Sequence, residues 1–307
     1  MTSNPEAGIG VCPGGHRRLV SSLADRLSCR THGIDCAKGF FMRALKLRLK
    51  SSFIRDAYWA LWHRERLEFL RHEVHFYASV LAGFERGALI FDIGANEGAK
   101  TDVFLRLGAR VVAVEPDDTC STGLEERFLK LRIRPRPVTI VTKAVSSTVG
   151  TEEMLVDGPG SAVNTMSPKW AENLKKNRAI FPYGHFGLEF KQTKLVKTTT
   201  IDDLIAQHGV PFFVKIDVEG HELSALRGLH RSVPCLSFEV NLPEFRPEGL
   251  QCIRRLAELG HTGQFNYTSG SIHGLALKEW VNSDDFSVVL ERCSESSIEV
   301  FWKTYVD

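Results

Sequence analysis

The segment FDIGANEGAKTDVFLRLGARVVAVEP, residues 91–116, puts an acid on each side of a glycine turn. The acids are Asp92 and Glu115, the glycines are Gly94 and Gly98, and Pro116 follows Glu115. Glycine lets the backbone turn tightly and approach a ligand closely. A dinucleotide site would want G-x-G-x-x-G, with its pyrophosphate on a helix N-terminus. Here Asn96 stands two positions after Gly94, where its side chain crowds that approach, and Asp92 and Glu97 add negative charge. Two like charges ~4 Å apart at an effective dielectric near 20 repel by about 4 kcal/mol. These residues argue against a nicotinamide dinucleotide, and with it against an oxidoreductase. S-adenosylmethionine carries a sulfonium and an α-ammonium and no phosphate, so the same acids favour it. Glu115, 21 residues past Gly94, can accept hydrogen bonds from both ribose hydroxyls, and bidentate bonds to a carboxylate are strong and geometrically selective.

Such residues need strands to carry them. From Ala88 onward short apolar runs alternate with helical patterns: strands at 89–95, 110–116, 138–145, 212–218 and 235–241, with a late one at 297–303. Helices fall between them. One is expected over TTIDDLIAQHG, with Thr200 as N-cap and Gly209 past its end. This alternation predicts an α/β fold with a mostly parallel sheet and helices on both faces. In open sheets of this kind the ligand sits beyond the carboxyl ends of the strands. Asp217 and Glu239 lie at such ends, and Glu239 and Asn241 share one face of their strand by alternation. Residues 150–198 break the rhythm and read as an insertion of loops and short pieces.

Three blocks together resemble the FkbM-type S-adenosylmethionine-dependent methyltransferases: FDIGANEGAKT (91–101), TTTIDDL (198–204) and VKIDVEGHELSALRGL (214–229). They stand in that family's order, and KIDVEG is the most distinctive. The resemblance covers roughly residues 70–303. It implies the class I methyltransferase Rossmann-like fold, a seven-stranded sheet whose sixth and seventh strands form an antiparallel end. It also implies methyl transfer to oxygen, often on sugar hydroxyls of glycans or natural products. The cofactor-binding candidates are then Asp92, Gly94, Asn96, Gly98, Glu115, Pro116, Val145, Ser146 and Asp217, with Ala144 to Ser146 bordering the adenine.

O-methylation is an in-line displacement in which alignment is the main contribution. A neutral hydroxyl is a poor nucleophile, so a base should take its proton. His221 can serve near neutral pH, Asp217 can serve if burial raises its pKa, and Glu219 completes the catalytic candidates. Alternatively Asp217, Glu239 and Asn241 hold a divalent cation that acidifies the hydroxyl, similar to the strand-end oxygen ligands of catechol-type methyltransferases with a different ligand order. Pro234-Cys235 opens a strand at the end away from the cofactor and reads as core, not as the nucleophile of a cytosine methylase. The Asn-Pro-Pro-aromatic motif of base-amino methylases is absent, so no nucleic acid is expected. A non-catalytic binding or scaffold protein on the same fold is the alternative, and intact Asp92, Glu115 and Asp217 speak against it.

The acceptor is expected to be a hydroxyl-bearing small molecule or glycan, with residues 150–198 as its lid. Lys169 to Lys197 holds seven Lys/Arg against two Glu, which is either a solvated face or a preference for an anionic acceptor. Trp170, Phe181, Tyr183 and Phe186 either stack on sugar faces or pack the lid, and Ser161 is a further site candidate.

Residues 1–37 show no sustained periodicity and read as a poorly ordered extension. Cys12, His16, Cys29, His32 and Cys36 are metal-ligand types whose spacing matches no zinc pattern. Residues 38–84 read as a helical cap; Lys38 to His72 carries nine Lys/Arg against three Asp/Glu. That basic face is either solvated or makes weak contact with an anionic membrane surface. Residues 85–307 are expected to form the methyltransferase domain that the resemblance implies. A net charge of +2 over 307 residues names no partner, and no apolar run approaches ~18 residues. Without an apolar leader the expected location is cytoplasmic. Seven irregularly spaced cysteines read as reduced thiols.

Overall fold

Short runs of Val, Ile, Leu and Phe, almost free of polar residues, suit strands covered on both faces. The computed structural model describes residues 64–130, 136–176, 188, 190–260 and 262–304, all within one compact unit, 47–307. Its strands are β1 (Leu89–Ile93), β2 (Arg110–Val114), β3 (Val138–Val141), β4 (Ala144–Val145), β5 (Gly150–Val156), β6 (Gln192–Thr199), β7 (Phe213–Ile216), β8 (Cys235–Asn241), β9 (Gln264–Thr268) and β10 (Ser297–Lys303). Its helices are α1 (Arg64–Val80), α2 (Ala99–Leu107), α3 (Asp118–Glu125), α4 (Pro168–Lys176), α5 (Ile201–His208), α6 (Glu222–Arg227), α7 (Arg246–Leu259) and α8 (Ser283–Arg292).

Seven strands form the main sheet in the order β3-β2-β1-β7-β8-β10-β9. β10 runs antiparallel to both of its neighbours, and the other pairings are parallel. This is the class I methyltransferase topology implied by the resemblance, with the antiparallel end in place. The strand order reverses between β1 and β7, so the loops leaving these two strands diverge and open a crevice. Every residue of β1 and β7 is buried. Alternation sends Phe91 and Val214 to one face and Ile90 and Phe213 to the other. On the second face Tyr77 of α1 is fully buried, edge-on to Phe104 and Phe301. Burying one such side chain contributes about 2–3 kcal/mol, so α1 belongs to the core of this unit. Helix ends follow local chemistry: Thr200 accepts from the Asp203 N–H at 3.0 Å, and Gly209 closes α5.

Two sequence expectations need correction. The run 138–145 is not one strand. β3 pairs with β2 and stops at Val141, while Ala144 and Val145 pair with Thr198 and Thr199 in a separate three-stranded sheet ordered β4-β6-β5. The segment 150–198 is not only loops and short pieces, because β5 and β6 pair antiparallel over seven residues. The first half of each is largely exposed, and this leaves them polar enough to hide from a search for apolar runs. β9 and α8 also went unread, the first because QFNYT buries its polar Asn266 in the sheet.

Cys12, His16, Cys29, His32, Cys36, the rest of the 1–37 extension and the basic stretch up to residue 63 lie outside the described residues. Among the described residues no helix is long and apolar enough to cross a membrane. Cys120, Cys252 and Cys293 are free and buried, and Cys235 is buried.

Candidate functional site

The turn after β1 explains its glycine by distance. Gly94 has φ 79°, and a Cβ there would stand 1.7 Å from the Asp217 carbonyl oxygen. The turn is thus pressed against the end of β7, and only glycine fits. The Gly94 and Ala95 N–H groups donate to the Val114 carbonyl at 2.9 and 3.1 Å, tying the turn to β2 as well. Asn96 adopts φ 47°, a left-handed conformation that Asn tolerates better than most residues. Its N–H donates to Glu115 Oε2 at 2.9 Å, and the Asp117 N–H donates to Glu115 Oε1 at 2.8 Å. Burial pushes Glu115 up to about 7 against these two hydrogen bonds. Asp92 is buried, accepts from the Thr101 hydroxyl, and is also raised by burial.

At the end of β7, alternation puts Lys215 and Asp217 on one face, and the ammonium donates to Asp217 Oδ2 at 2.7 Å. Lys215 is 4% exposed and Asp217 33%. Burial alone would raise Asp217, but the Lys215 charge and hydrogen bonds from Lys215 and Glu239 hold it below the usual carboxylate range, so the condition set for it as a base is not met. Glu239 moves the other way. Burial and the Asp217 charge push it up to about 8, although the Ser297 hydroxyl donates to it at 2.8 Å. Glu219 is raised well above its ordinary value by burial and by its Glu239 and Asp217 neighbours. It sits at φ 53°, a conformation that costs a non-glycine residue ~1–3 kcal/mol. Two contacts hold it there. The Thr165 hydroxyl donates to the Glu219 carbonyl at 2.7 Å, and Glu222 Oε1 accepts from the Val218 and Gly220 N–H groups at 3.1 and 3.2 Å.

His221 precedes α6. Its Nε2 is 3.2 Å from Ser146 Oγ and 3.9 Å from Glu152, and burial lowers its pKa against the Glu152 charge. The imidazole is therefore neutral at neutral pH.

Gly94, Asn96, Glu115, Pro116, Val145, Asp217, Glu219 and His221 line one cavity, together with Ser161. Asp92, Gly98 and Ser146 do not line it. A Cβ on Gly98 would meet Leu124 and Phe128 at 2.6 Å, so that glycine makes room for helix packing. Asp92 holds Thr101 beneath the turn, and Ser146 backs His221. Cys120 lines the cavity as a thiol, pushed up to about 12 by burial. Trp170 is buried edge-on against Phe245, so it packs the insertion; Phe181, Tyr183 and Phe186 lie outside the described residues.

Oxygens of Asp217, Glu219 and Glu239 lie within 4.8 Å of one another. Asn241, the third expected ligand, ends β8 opposite Ser297. Sequence reasoning missed Lys215, whose signal was a lysine inside an otherwise apolar strand two residues before an aspartate. It also missed Thr165, which meets Glu219 only through the fold.

The cavity holds the carboxyls of Glu115, Asp217 and Glu219 against Lys143 and a neutral His221. That balance suits a cationic, phosphate-free ligand and opposes a pyrophosphate. S-adenosylmethionine fits these residues on charge.

Residues 92–261, more than half of the chain, match the family model described as the Methyltransferase FkbM domain. No curated protein matches the sequence. Several solved structures resemble the fold distantly. An S-adenosylmethionine-dependent methyltransferase from Agrobacterium tumefaciens is 10% identical, with 78% of this chain and 63% of that one covered and a TM-score of 0.38. The chain thus spans less than two thirds of that protein's length. A TehB-like methyltransferase from Corynebacterium glutamicum is 9% identical, with 83% and 100% covered and a TM-score of 0.37. The plantazolicin methyltransferase BpumL, in complex with a monoazolic desmethylPZN analog and SAH, is 7% identical, with 86% and 98% covered and a TM-score of 0.37.

Proposed function

The chain belongs to the FkbM family of S-adenosylmethionine-dependent methyltransferases, and from that membership we propose that it methylates a hydroxyl oxygen of a sugar, glycan or other small molecule. The observation that carries this reading is the Gly94 turn. It is locked onto the Asp217 carbonyl, with the Glu115 carboxyl across the same cavity. When bound, S-adenosylmethionine supplies a methyl on a sulfonium, which passes to the acceptor oxygen while the C–S electron pair returns to sulfur.

The chain's residues divide the remaining work. Each Glu115 oxygen accepts one backbone N–H and keeps a free lone-pair site, so both can receive a ribose hydroxyl. Val145 offers an apolar wall for the adenine. Asp217, kept ionised by Lys215 below the ordinary carboxylate range, does not meet the condition for a base and instead accepts the hydrogen bond of the acceptor hydroxyl and holds it in line. His221, whose neutral imidazole lines the same cavity, takes the hydroxyl proton and later releases it to water. Glu219, raised well above its ordinary value by burial and its carboxylate neighbours, orients rather than accepts.

The Asp217, Glu219 and Glu239 oxygens have the chemistry to ligate a divalent cation. Lys215, 2.7 Å from Asp217, already provides the positive charge a cation would bring there. Exhaustive dialysis against a chelator is therefore expected to leave methyl transfer intact, and loss restored by magnesium would reverse this assignment.

The test is incubation with methyl-labelled S-adenosylmethionine and a panel of hydroxylated acceptors, followed by mass spectrometry of the products. An ether-linked label is expected. Label on nitrogen or sulfur, or no transfer to any hydroxyl, would overturn the oxygen assignment.

A further inference from the structure

The end of β7 faces a second cavity as well, and Asp217 lines both. The second, of about 330 Å³, lies on the α1 side of the sheet. Small-ligand sites run from about 300 to 1,000 Å³. We propose that this second cavity holds the methyl acceptor, and that the acceptor presents to it an uncharged, hydroxyl-rich group with an apolar face. The proposal rests on the methyltransferase reading above.

Asp217 is the lining residue that joins this cavity to the one bearing Gly94 and Glu115. An acceptor on the α1 side and a donor on the other therefore meet at the Asp217 carboxylate.

The charge balance sets the ligand class. Both lining lysines are committed: Lys100 pairs with Glu73, and Lys215 pairs with Asp217. Glu299 accepts from Ser237 at 2.7 Å and from Tyr77 at 3.0 Å. Among the described residues the lining sets one further basic side chain, His273, against the carboxyls of Glu73, Asp217, Glu239 and Glu299, so an anion finds little there to pair with. The lining offers hydroxyls and carboxyl oxygens, which suit neutral O–H donors. A buried carboxylate facing an anion would repel it strongly in a site of low dielectric.

The rim supplies the apolar contact. Phe69 of α1 is 51% exposed and Ile272 63% exposed, and both line this cavity. Single exposed apolar side chains are ordinary. Two on one cavity mouth, above a polar floor, match a ligand that is apolar on one face and hydroxylated at its edge. An anionic acceptor drawn by the basic run 169–197 is the competing outcome.

Saturation-transfer NMR on the full chain, loaded with S-adenosylhomocysteine, tests this with a panel of neutral methyl glycosides and with glucose 6-phosphate as probes. Calorimetry measures S-adenosylhomocysteine binding in parallel. Neutral glycosides are expected to receive saturation. Phe69→Ala is expected to weaken their binding roughly fivefold by removing the stacking face, and Ser271→Trp to abolish it by filling the mouth. Neither variant should change the affinity for S-adenosylhomocysteine. Three results would overturn the proposal: no saturation of any neutral glycoside, binding indifferent to both variants, or preference for glucose 6-phosphate that Lys175→Glu abolishes. Failure of the unsubstituted chain to bind S-adenosylhomocysteine would instead remove the methyltransferase reading itself.

Discussion

Glu115 and Asp217 face the same cavity but are prepared for opposite tasks. Glu115 is buried and pushed up to about 7, so it gains from any ligand that brings hydrogen-bond donors or positive charge. Glu115→Ala removes that acceptor and strands the ribose hydroxyls. Losing hydrogen bonds to a charged group costs about 1.5–3 kcal/mol, so the S-adenosylhomocysteine Kd measured by calorimetry should rise at least tenfold. Asp217 is held ionised by Lys215 and is ready to hold the acceptor hydroxyl in line. Asp217→Asn keeps the shape and the turn but removes the carboxylate that orients the acceptor. It should lower kcat by roughly 10²-fold and change the cofactor Kd little; unchanged kcat would remove Asp217 from the chemistry. These two acids are legible in the sequence because each sits in a local string, with the glycine turn and KIDVEG fixing its place on a strand end. Lys215 stands in the same string, yet its burial, and so its effect on Asp217, follows only from the packed sheet. The left-handed Glu219 is less legible still, because the Thr165 hydroxyl that pins it comes from 54 residues away.

The two glycines of the first turn look alike as letters and differ as positions. Gly94 faces the Asp217 carbonyl, whereas Gly98 faces Leu124 and Phe128. Gly94→Ala should abolish S-adenosylhomocysteine binding, since the turn and β7 cannot both stay in place. Gly98→Ala should lower Tm through overpacking, typically ~1–3 kcal/mol, while binding survives in the folded fraction. Equal losses of affinity in both variants would contradict this division. At this scale hydrophobic periodicity reads the buried parallel strands well, because β1 and β7 are buried throughout and apolar at all but Asp92 and Lys215. It fails where one face meets water. β5 and β6 bury only part of their residues, so GTEEMLV and QTKLVKTT read as loop. It also merges β3 with β4, since Thr142 and Lys143 carry no breaker to mark where the chain changes sheets.

Across the whole molecule the candidate site concentrates carboxyls that burial holds near their neutral form. Glu115 and Glu222 rise to about 7 and Glu239 to about 8 from an ordinary 4.5. A group whose folded pKa lies above its unfolded value contributes stability that is full below the unfolded pKa. That stability is lost as pH rises through the folded pKa. His221, lowered by burial, acts oppositely near its ordinary 6.5, but it is one group against several. The ligand-free protein should therefore lose Tm between about pH 5 and pH 8, and calorimetric melts showing a rise across that window would refute the linkage. Such a site is destabilised until a ligand with donors and positive charge enters it, so binding should be visible as stability. A ligand that binds only the native state adds about 2.7 kcal/mol at a hundredfold excess over Kd. Each kcal/mol moves Tm by roughly 2–4 °C in a domain of this size. Thermal melting with S-adenosylhomocysteine and, separately, with NAD is thus the most direct measurement of the central claim. S-adenosylhomocysteine is expected to raise Tm by about 5–10 °C and NAD to leave it unchanged; a rise with NAD and none with S-adenosylhomocysteine would contradict the account.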